Sequence, residues 1–307
     1  MLRAMDSAVA GLRAHQNKLD VIGNNIANVN TFGYKTMSYS FKEAMYQTAT
    51  ASTGGTTTAG GVNPAQYGYG TLMGSISTDM SGSVPTYVGG LNATIDGEGF
   101  FITYPTNDQT IDPTKIKETD LSYTRVGQFN IDGNGYLVDS NGNFVYGFRP
   151  DAVDKPTKFD GNLVPIKAPS DVTGTNFNGT ALQLKDIKIN SLGEVTATVV
   201  SKDDPAKDGK TVSLGKVAIA TFQNPQGLEK KGSYYYGASE GDNSGAVSAT
   251  IPGGNAASLM TGYLEGSNVD LAKEFSDMIT TQRGFQANSK IITVSDEILS
   301  DLINMKR

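Results

Sequence analysis

Residues 2–26 read LRAMDSAVAGLRAHQNKLDVIGNNI, and residues 271–305 read LAKEFSDMITTQRGFQANSKIITVSDEILSDLINM. Both segments repeat an apolar residue at every seventh position. The rows are Met5, Leu12, Leu19 and Ile26, beside a shorter row of Leu2 and Val9, and at the other end Leu271, Met278, Phe285, Ile292 and Leu299. This spacing places apolar side chains along one narrow stripe of a helix and is typical of left-handed coiled coils. The sequence therefore predicts long N- and C-terminal coiled-coil helices.

The C-terminal helix has a clear start signal. We expect Ser267 or Asn268 to cap it, with Asp270 in its first turn near the positive end of the helix dipole. A helix over 268–305 is about 55 Å long at 1.5 Å per residue. A compact β domain does not cover a helix of that length, so another surface must bury its stripe.

The middle of the chain has the pattern of a β domain. Alternating stretches such as Val195 to Val199 are bounded by Asp-Gly and Asn-Gly pairs, which are strong hairpin signals. The pairs begin at Asp96, Asp132, Asn134 and Asn141. We therefore predict the α+β class, with two terminal helices flanking a mainly antiparallel β domain.

Composition divides the chain into three regions. Residues 1–30 plus 267–307 form the predicted helical coiled-coil domain, residues 31–70 a linker region, and residues 71–266 the β-rich domain. Within the linker region, the Thr- and Gly-rich residues 47–66 have no apolar period and predict a loop or an extended linker. Segment 150–210 is a candidate insertion, because residues 150–180 and 201–210 have the Pro, Asp and Lys content of surface excursions.

Several classes of function lack their usual residues. The net charge of −6 does not suit nucleic-acid binding, and the absence of Cys removes thiolate chemistry. No stretch has the roughly 18 apolar residues of a membrane helix. The N-terminus has no cleavable signal pattern, which fits a cytoplasmic protein or a protein exported without cleavage.

No catalytic, cofactor or metal site is predicted. His15 is the only histidine, and we expect it to be an exposed helix residue. The Asp132 and Asp139 segments are interpreted as turns rather than calcium loops, because Asn143 stands where an EF-hand needs a bidentate Glu. Residues 97–99 predict a bend before a strand. The grouped carboxylates Asp151, Asp154 and Asp160, and the pair Asp203 and Asp204, lie in segments expected to be solvated loops.

The terminal rows allow more than one packing arrangement. Such a stripe faces the core in many helical bundles, but this chain offers no further helices to complete one. Pairing of the two ends within one chain stays open at this point.

Both ends of the chain and most of its middle resemble bacterial flagellar rod and hook proteins, and only residues 150–210 have no matching segment. Residues 19–35, LDVIGNNIANVNTFGYK, are similar to the N-terminal signature of that family and include Asn24, Asn25, Asn28 and Gly33. Residues 262–271 are similar to its C-terminal segment, together with Gln282 and Arg283. The matching positions in that segment include Ser267, Asn268 and Asp270. Within the family, the likeness is greatest to the hook protein in a short, Gram-positive-like form.

The resemblance implies a structural protein rather than an enzyme, located in the flagellum and exported without a cleaved signal. It implies that unfolded chains leave through the type III export apparatus and polymerise into a hollow tube that acts as a flexible joint. The terminal rows would form the inner coil, and both ends would be disordered before assembly. The implied partners are copies of the chain, the distal rod, hook cap and hook–filament junction proteins, and the export apparatus.

Two alternatives remain beside the hook hypothesis. A distal rod subunit, a rigid drive shaft, is the first, because the span between residues 130 and 212 is too short for the additional outer domain of many hook proteins. The second is a soluble β-rich adhesive or binding domain whose terminal helices pair with each other.

Overall fold

The computed structural model describes residues 2–56, 60–107, 110–112, 121–150, 159–167, 183–200, 209–238, 248–253 and 257–305. Two helices frame the chain, α1 (Leu2–Ala27) and α2 (Leu271–Met305). The strands are β1 (Met37–Glu43), β2 (Tyr46–Thr50), β3 (Ala65–Gly68), β4 (Thr71–Thr78), β5 (Pro85–Tyr87), β6 (Ala93–Asp96), β7 (Phe100–Tyr104), β8 (Ser122–Thr124), β9 (Phe129–Ile131), β10 (Leu137–Asp139), β11 (Phe144–Pro150), β12 (Phe159–Pro165), β13 (Gln183–Ile189), β14 (Glu194–Val200), β15 (Thr211–Val217), β16 (Ile219–Thr221), β17 (Glu229–Gly232), β18 (Tyr235–Gly237), β19 (Ser248–Thr250), β20 (Ser258–Thr261) and β21 (Tyr263–Glu265). A short 3-10 helix spans Pro225–Gly227. The predicted arrangement of two terminal helices around mostly antiparallel strands is confirmed.

The chain separates into two compact units. The helical unit contains Met1–Val29, Lys35–Asp79 and Val269–Arg307, and the sheet unit contains Asn30–Tyr34 and Met80–Asn268. Most of the predicted linker region thus belongs to the helical unit. The three-part division predicted above concerns the layers of an assembly and stays a prediction.

A long β ribbon accompanies the helices in the helical unit. β1 pairs with β4, and β2 pairs with β3. In every facing pair the two residue numbers add up to 114 or 115, so both strand pairs follow nearly the same register. A bridge between Thr53 and Val62 continues the ribbon. The prediction of a loop or an extended linker over residues 47–66 is therefore wrong for residues 47–50 and 65–66, which lie in paired strands. β2 and β3 are exposed on both faces, so no apolar alternation marks them in the sequence.

Asp270 caps α2, which corrects the predicted cap. Its Oδ1 accepts hydrogen bonds from the backbone N–H groups of Ala272 (2.9 Å) and Lys273 (3.3 Å). The predicted caps, Ser267 and Asn268, lie before the helix begins. The carboxylate satisfies two otherwise unpaired N–H groups and adds a negative charge at the positive end of the helix dipole.

A 13-stranded sheet dominates the sheet unit. Its main path is β13-β14-β15-β11-β7-β8-β18-β17, and all its pairs are antiparallel among the described strands. On β7, Phe101 joins one buried apolar cluster, whereas Phe100 and Ile102 join another. Successive side chains of a strand point to opposite faces, so this sheet is packed on both of its faces.

The turns at Asp132 and Asp139 have the same pattern of hydrogen bonds. Oδ1 of Asp132 accepts from the backbone N–H groups of Asn134 (3.0 Å) and Tyr136 (2.7 Å). Oδ1 of Asp139 accepts from those of Asn141 and Asn143, both at 2.9 Å. Side-chain acceptance of this kind is the Asx turn, so the turn interpretation is confirmed. The bend predicted at residues 97–99 also connects two strands, β6 and β7.

The described part of segment 150–180 belongs to the sheet. β12 pairs with β11, and Leu163 and Ile166 are buried in the two apolar clusters. The prediction of a surface excursion is therefore wrong for residues 159–167, whose apolar residues were outweighed by the surrounding Pro, Asp and Lys. Residues 151–158, 168–182 and 201–208 lie outside the described residues, including Asp151, Asp154, Asp203 and Asp204, as does the side chain of Asp160.

A buried ion pair joins distant segments of the sheet unit. Arg125 Nη1 lies 3.8 Å from Glu265 Oε2 and donates a hydrogen bond of 2.7 Å to the carbonyl oxygen of Gly97. The carbonyl oxygen of Glu265 accepts a hydrogen bond of 2.8 Å from the N–H of Gly33. Arg125 and Glu265 thus connect residues from both ends of the sheet unit's sequence.

Candidate assembly interface

The two terminal helices run antiparallel and contact each other within the helical unit. Asn25 Nδ2 donates a hydrogen bond of 3.2 Å to Glu274 Oε1. Two further contacts pair Gly284 with His15 and Gly11 with Asn288. In each contact the two residue numbers add up to 299, so one register holds along the pair. Both segments are helical in the structure, and the expectation that they are disordered before assembly stays a prediction.

The buried face of α1 carries small side chains toward its start and larger ones toward its end. These residues are Ala8, Gly11, Ala14, Val21, Ile22 and Asn25. Apart from the adjacent Val21 and Ile22, they recur at intervals of three or seven, which defines one face of a helix. Burial of this face against the rest of the helical unit stabilises α1, since helices in water depend on packing more than on intrinsic propensity.

The facing row on α2 is polar. Glu274, Thr281 and Ser295 are buried, and Asn288 between them is half-buried. These four residues are seven positions apart and form the polar seam of the helix pair. Apolar burial contributes most of the free energy of helix packing. Because the polar seam offers little apolar surface, its four side chains contribute little of that free energy.

The predicted apolar rows flank this polar seam and do not fill it. Val9 and Leu271 are exposed, and the other described members are half-buried: Met5, Leu12, Leu19, Ile26, Met278, Phe285, Ile292 and Leu299. The side chain of Leu2 lies outside the described residues. A coiled-coil seam made of these rows is absent from the described helix pair, and their contact between copies stays a prediction.

The prediction from apolar residues at every seventh position missed a second apolar stripe on α2. Ile291, Val294, Ile298 and Leu302 are each 39–51% exposed and follow the spacing of three, four and four residues. Phe275 and Ile279 are similarly exposed nearer the start of the helix. A search for the i, i+3, i+7, i+11 pattern would have found this outer stripe, Ile291 to Leu302.

The ribbon adds further exposed apolar side chains. They are Phe41 on β1 and Leu72, Met73 and Ile76 on β4. Phe41 pairs across the strands with Met73. Together with the outer stripe, these residues give the helical unit much more exposed apolar surface than scattered single residues would.

Asn25 connects three elements of the helical unit. Its side chain exchanges two hydrogen bonds with the Met37 backbone on β1, through Nδ2 to the carbonyl (2.8 Å) and through Oδ1 from the N–H (3.0 Å). The same Nδ2 reaches Glu274 on α2. Burial raises the pKa of the Glu274 carboxyl, and the hydrogen bond from Asn25 opposes that rise. Asn25 is therefore a candidate functional residue. From the sequence it was identified only as one position of the family-like segment 19–35.

His15 is half-buried, which corrects the expectation of an exposed residue. Its ring lies 5.2 Å from the ring of Phe41, and its Nδ1 is buried without a hydrogen-bond partner among the described residues. A Cβ atom on Gly284 would lie 2.6 Å from His15 Cε1. Burial and the nearby Lys18 ammonium lower the pKa of His15. His15 thus fills a notch that glycine leaves on α2.

The other motif residues have different positions. Asn28 Nδ2 donates to the side chain and carbonyl of Asn24 at the end of α1. Gly33 has a φ of 68°, and a Cβ there would lie 2.5 Å from Val126 Cγ2. Gln282 and Arg283 are exposed on α2.

The described residues contain neither a metal-ligating cluster nor a membrane-spanning helix. Among the described residues, no group of three or more His, Cys, Asp or Glu side chains is placed to hold a metal ion. Neither described helix combines the length and the apolar content that crossing a bilayer requires.

The fold and this surface define a class of protein. Paired terminal helices keep apolar faces exposed, and a long ribbon adds exposed apolar residues beside them. This arrangement is that of a structural subunit built to contact other chains.

Three family models match the chain. Residues 5–35 match "Flagella basal body rod protein", residues 94–197 match "Flagellar hook protein FlgE/F/G D1 domain", and residues 260–305 match "Flagellar basal body rod FlgEFG protein C-terminal". The second match includes part of segment 150–210, for which the sequence analysis had no counterpart.

Three relatives align over nearly the whole chain. It is 40% identical to flagellar basal-body rod protein FlgG of Bacillus subtilis (strain 168), with 100% of both chains covered. It is 31% identical to the protein of that name from Agrobacterium fabrum (strain C58), with 97% of each covered. It is 25% identical to flagellar hook protein FlgE of Borreliella burgdorferi, with 100% of both covered. The chain therefore belongs to the flagellar rod and hook protein family, whose members are structural components of the bacterial flagellum.

Proposed function

We propose that the chain is a self-polymerising subunit of the distal rod, a stiff hollow shaft. The supporting observation is the pattern of alignment lengths. The alignment with the Bacillus subtilis rod protein spans 310 positions, against 307 residues in this chain. The alignment with the Borreliella burgdorferi hook protein spans 456 positions, so at least 149 of them have no residue in this chain. The distal rod was the alternative hypothesis in the sequence analysis, and these lengths favour it over the hook.

A hook subunit is the second candidate. The match to the hook relative covers both full chains, and one matching family model includes hook proteins by name. Under this hypothesis the predicted distal rod, hook cap and hook–filament junction partners remain. Copies of the chain and the type III export apparatus are partners under both hypotheses. No comparison supports an adhesive or binding domain, and neither hypothesis within the family involves catalysis.

Self-assembly rests on the exposed apolar surface of the helical unit. The predicted inner coil consists of the rows from Met5 to Ile26 and from Leu271 to Leu299. The outer stripe adds Ile291 to Leu302. Repeated head-to-tail contacts that do not close produce an open helical filament. Burial of half-exposed side chains on every copy supplies the free energy of this assembly.

Complementation separates the rod from the hook. The chain is expressed in two Bacillus subtilis strains, one without its FlgG and one without its hook protein. Restored swimming in the first strain alone supports the rod proposal, and restored swimming in the second alone contradicts it. The Ile298→Asp variant, expressed at the same level, tests whether rescue depends on the outer stripe. Electron microscopy of purified polymers gives an independent answer, because a rod subunit forms straight tubes and a hook subunit forms curved ones.

A further inference from the structure

The polar seam by itself selects its register weakly. Its four α2 residues, Glu274, Thr281, Asn288 and Ser295, are seven positions apart, and three of them are small or neutral polar side chains. Sliding α2 by seven residues along α1 places one polar seam residue where another was. That slide displaces one helix by about 10 Å. Much of the contact face would then repack with similar side chains.

The Asn25–Glu274 hydrogen bond distinguishes the observed register from the shifted ones. The Met37 backbone holds the Asn25 amide from two sides, so the amide has one orientation available to α2. Glu274 Oε1 meets it at 3.2 Å. A slide in one direction replaces Glu274 by Thr281, whose shorter hydroxyl already donates to the carbonyl oxygen of Asp277 at 2.6 Å.

The fit of His15 against Gly284 distinguishes the registers sterically. A single Cβ on residue 284 would approach His15 Cε1 to 2.6 Å, so only glycine leaves room for the ring. A slide of seven residues would bring Asp277 or Ile291 to this position. Both side chains are far larger than the notch, so either one would have to displace the His15 ring.

We propose that the Asn25–Glu274 hydrogen bond and the His15–Gly284 notch together fix the register in which the terminal helices pair. A polar residue in a helix seam is a known means of specifying register, at a cost in stability. The consequence here is alignment of the apolar rows on the two helices, so that every subunit presents one surface to its neighbours. That consequence rests on the proposed self-assembly, whereas the register itself does not.

Disulfide crosslinking measures the register directly, because the chain has no cysteine of its own. Gly11→Cys is combined in three full-length proteins with Asn288→Cys, Thr281→Cys or Ser295→Cys. The first pair reports the observed register, since a Cβ at residue 11 would lie 3.0 Å from Asn288 Oδ1. The other two pairs report slides of seven residues in either direction. Mild oxidation, non-reducing gels and mass spectrometry of the linked peptides give the three yields.

The expected result is a native-pair yield at least tenfold above either shifted pair. Adding Glu274→Leu and Gly284→Ala should lower the native-pair yield at least threefold and raise a shifted pair to a similar level. Glu274→Gln alone should preserve the native ratio, because the amide oxygen still accepts from Asn25. Lys273→Leu with Gly23→Ala is the matched control, since Lys273 is exposed and a Cβ on Gly23 would meet nothing within 4 Å.

Three outcomes would overturn the proposal. They are equal yields of all three pairs in the unaltered background, a native pair that stays tenfold dominant in the Glu274→Leu, Gly284→Ala protein, and loss of all crosslinks in that protein. The last outcome would mean that these contacts hold the helices together without selecting a register.

A polymerisation assay then tests the consequence for assembly. Register-shifted protein with unchanged helical content by circular dichroism should fail to sediment as polymer. Normal polymer from shifted protein would leave the register assignment intact and remove its link to assembly. Failure of the unaltered chain to polymerise at all would instead count against the proposed function.

Discussion

Ile298→Asp should block polymerisation while leaving the single chain folded. Ile298 is 44% exposed on the outer stripe of α2. Burying a whole isoleucine side chain contributes about 1.5–3 kcal/mol, so covering its exposed part contributes about 1 kcal/mol per subunit. A carboxylate enclosed at the same place costs several kcal/mol more. Even a total of only about 3 kcal/mol per subunit, a lower bound on this sum, raises the critical concentration for polymerisation roughly 100-fold.

Sedimentation across a protein concentration series measures that critical concentration. Circular dichroism of the unassembled chain checks that α2 persists, because an exposed substitution changes stability by only about 0.5 kcal/mol. Ser300→Asp is the matched control, since it adds the same group to an exposed position on a different face of the helix. A critical concentration within threefold of the wild-type value would refute the assignment of the outer stripe to the subunit interface.

Three further predictions concern the two units. Arg125→Met should destabilise the sheet unit by about 3–5 kcal/mol, because it leaves the Glu265 carboxylate buried without its cation; adding Glu265→Met should recover most of the loss in denaturant unfolding. Gly33→Ala should lower the thermal midpoint of the sheet unit by roughly 5–10 °C, since a Cβ would press on Val126 at a positive φ, and an unchanged midpoint in calorimetry would contradict this. The lowered pKa of His15 means that the unfolded chain binds the proton more readily, so the helix pair should lose stability as pH falls through the region below 6.5. Hydrogen exchange of α1 should show that loss, and His15→Gln should reduce it; a profile identical in both proteins would exclude His15 as its source.

In the β domain, local sequence patterns predicted the turns but missed some of the strands. Asx turns at Asp132 and Asp139 form where Asp-Gly and Asn-Gly pairs predicted them, because a turn depends on residues within four positions of each other. β12 was missed, although its pairing partner is the preceding strand β11, because the Pro, Asp and Lys residues around it outweighed its few apolar residues. β2 and β3 of the ribbon were missed because strands exposed on both faces carry no apolar alternation to detect.

The candidate interface was also predicted only in part from the sequence. Spacing in the sequence identified two helices with several apolar rows. It did not identify which face of each helix packs inside the chain. That face proved to be the polar row from Glu274 to Ser295, and the most regular apolar rows lie beside it.

The sequence by itself determined the α+β class, the terminal helices, the turns and the family, because each depends on residues close together along the chain or on long matched segments. Only the tertiary structure decided the register of the helices, the cap at Asp270, the notch beside His15 and the role of Asn25. The Asn25–Glu274 hydrogen bond joins residues 249 positions apart. A contact of that kind leaves no periodicity in the sequence, since it arises only when folding brings two distant side chains within hydrogen-bond distance.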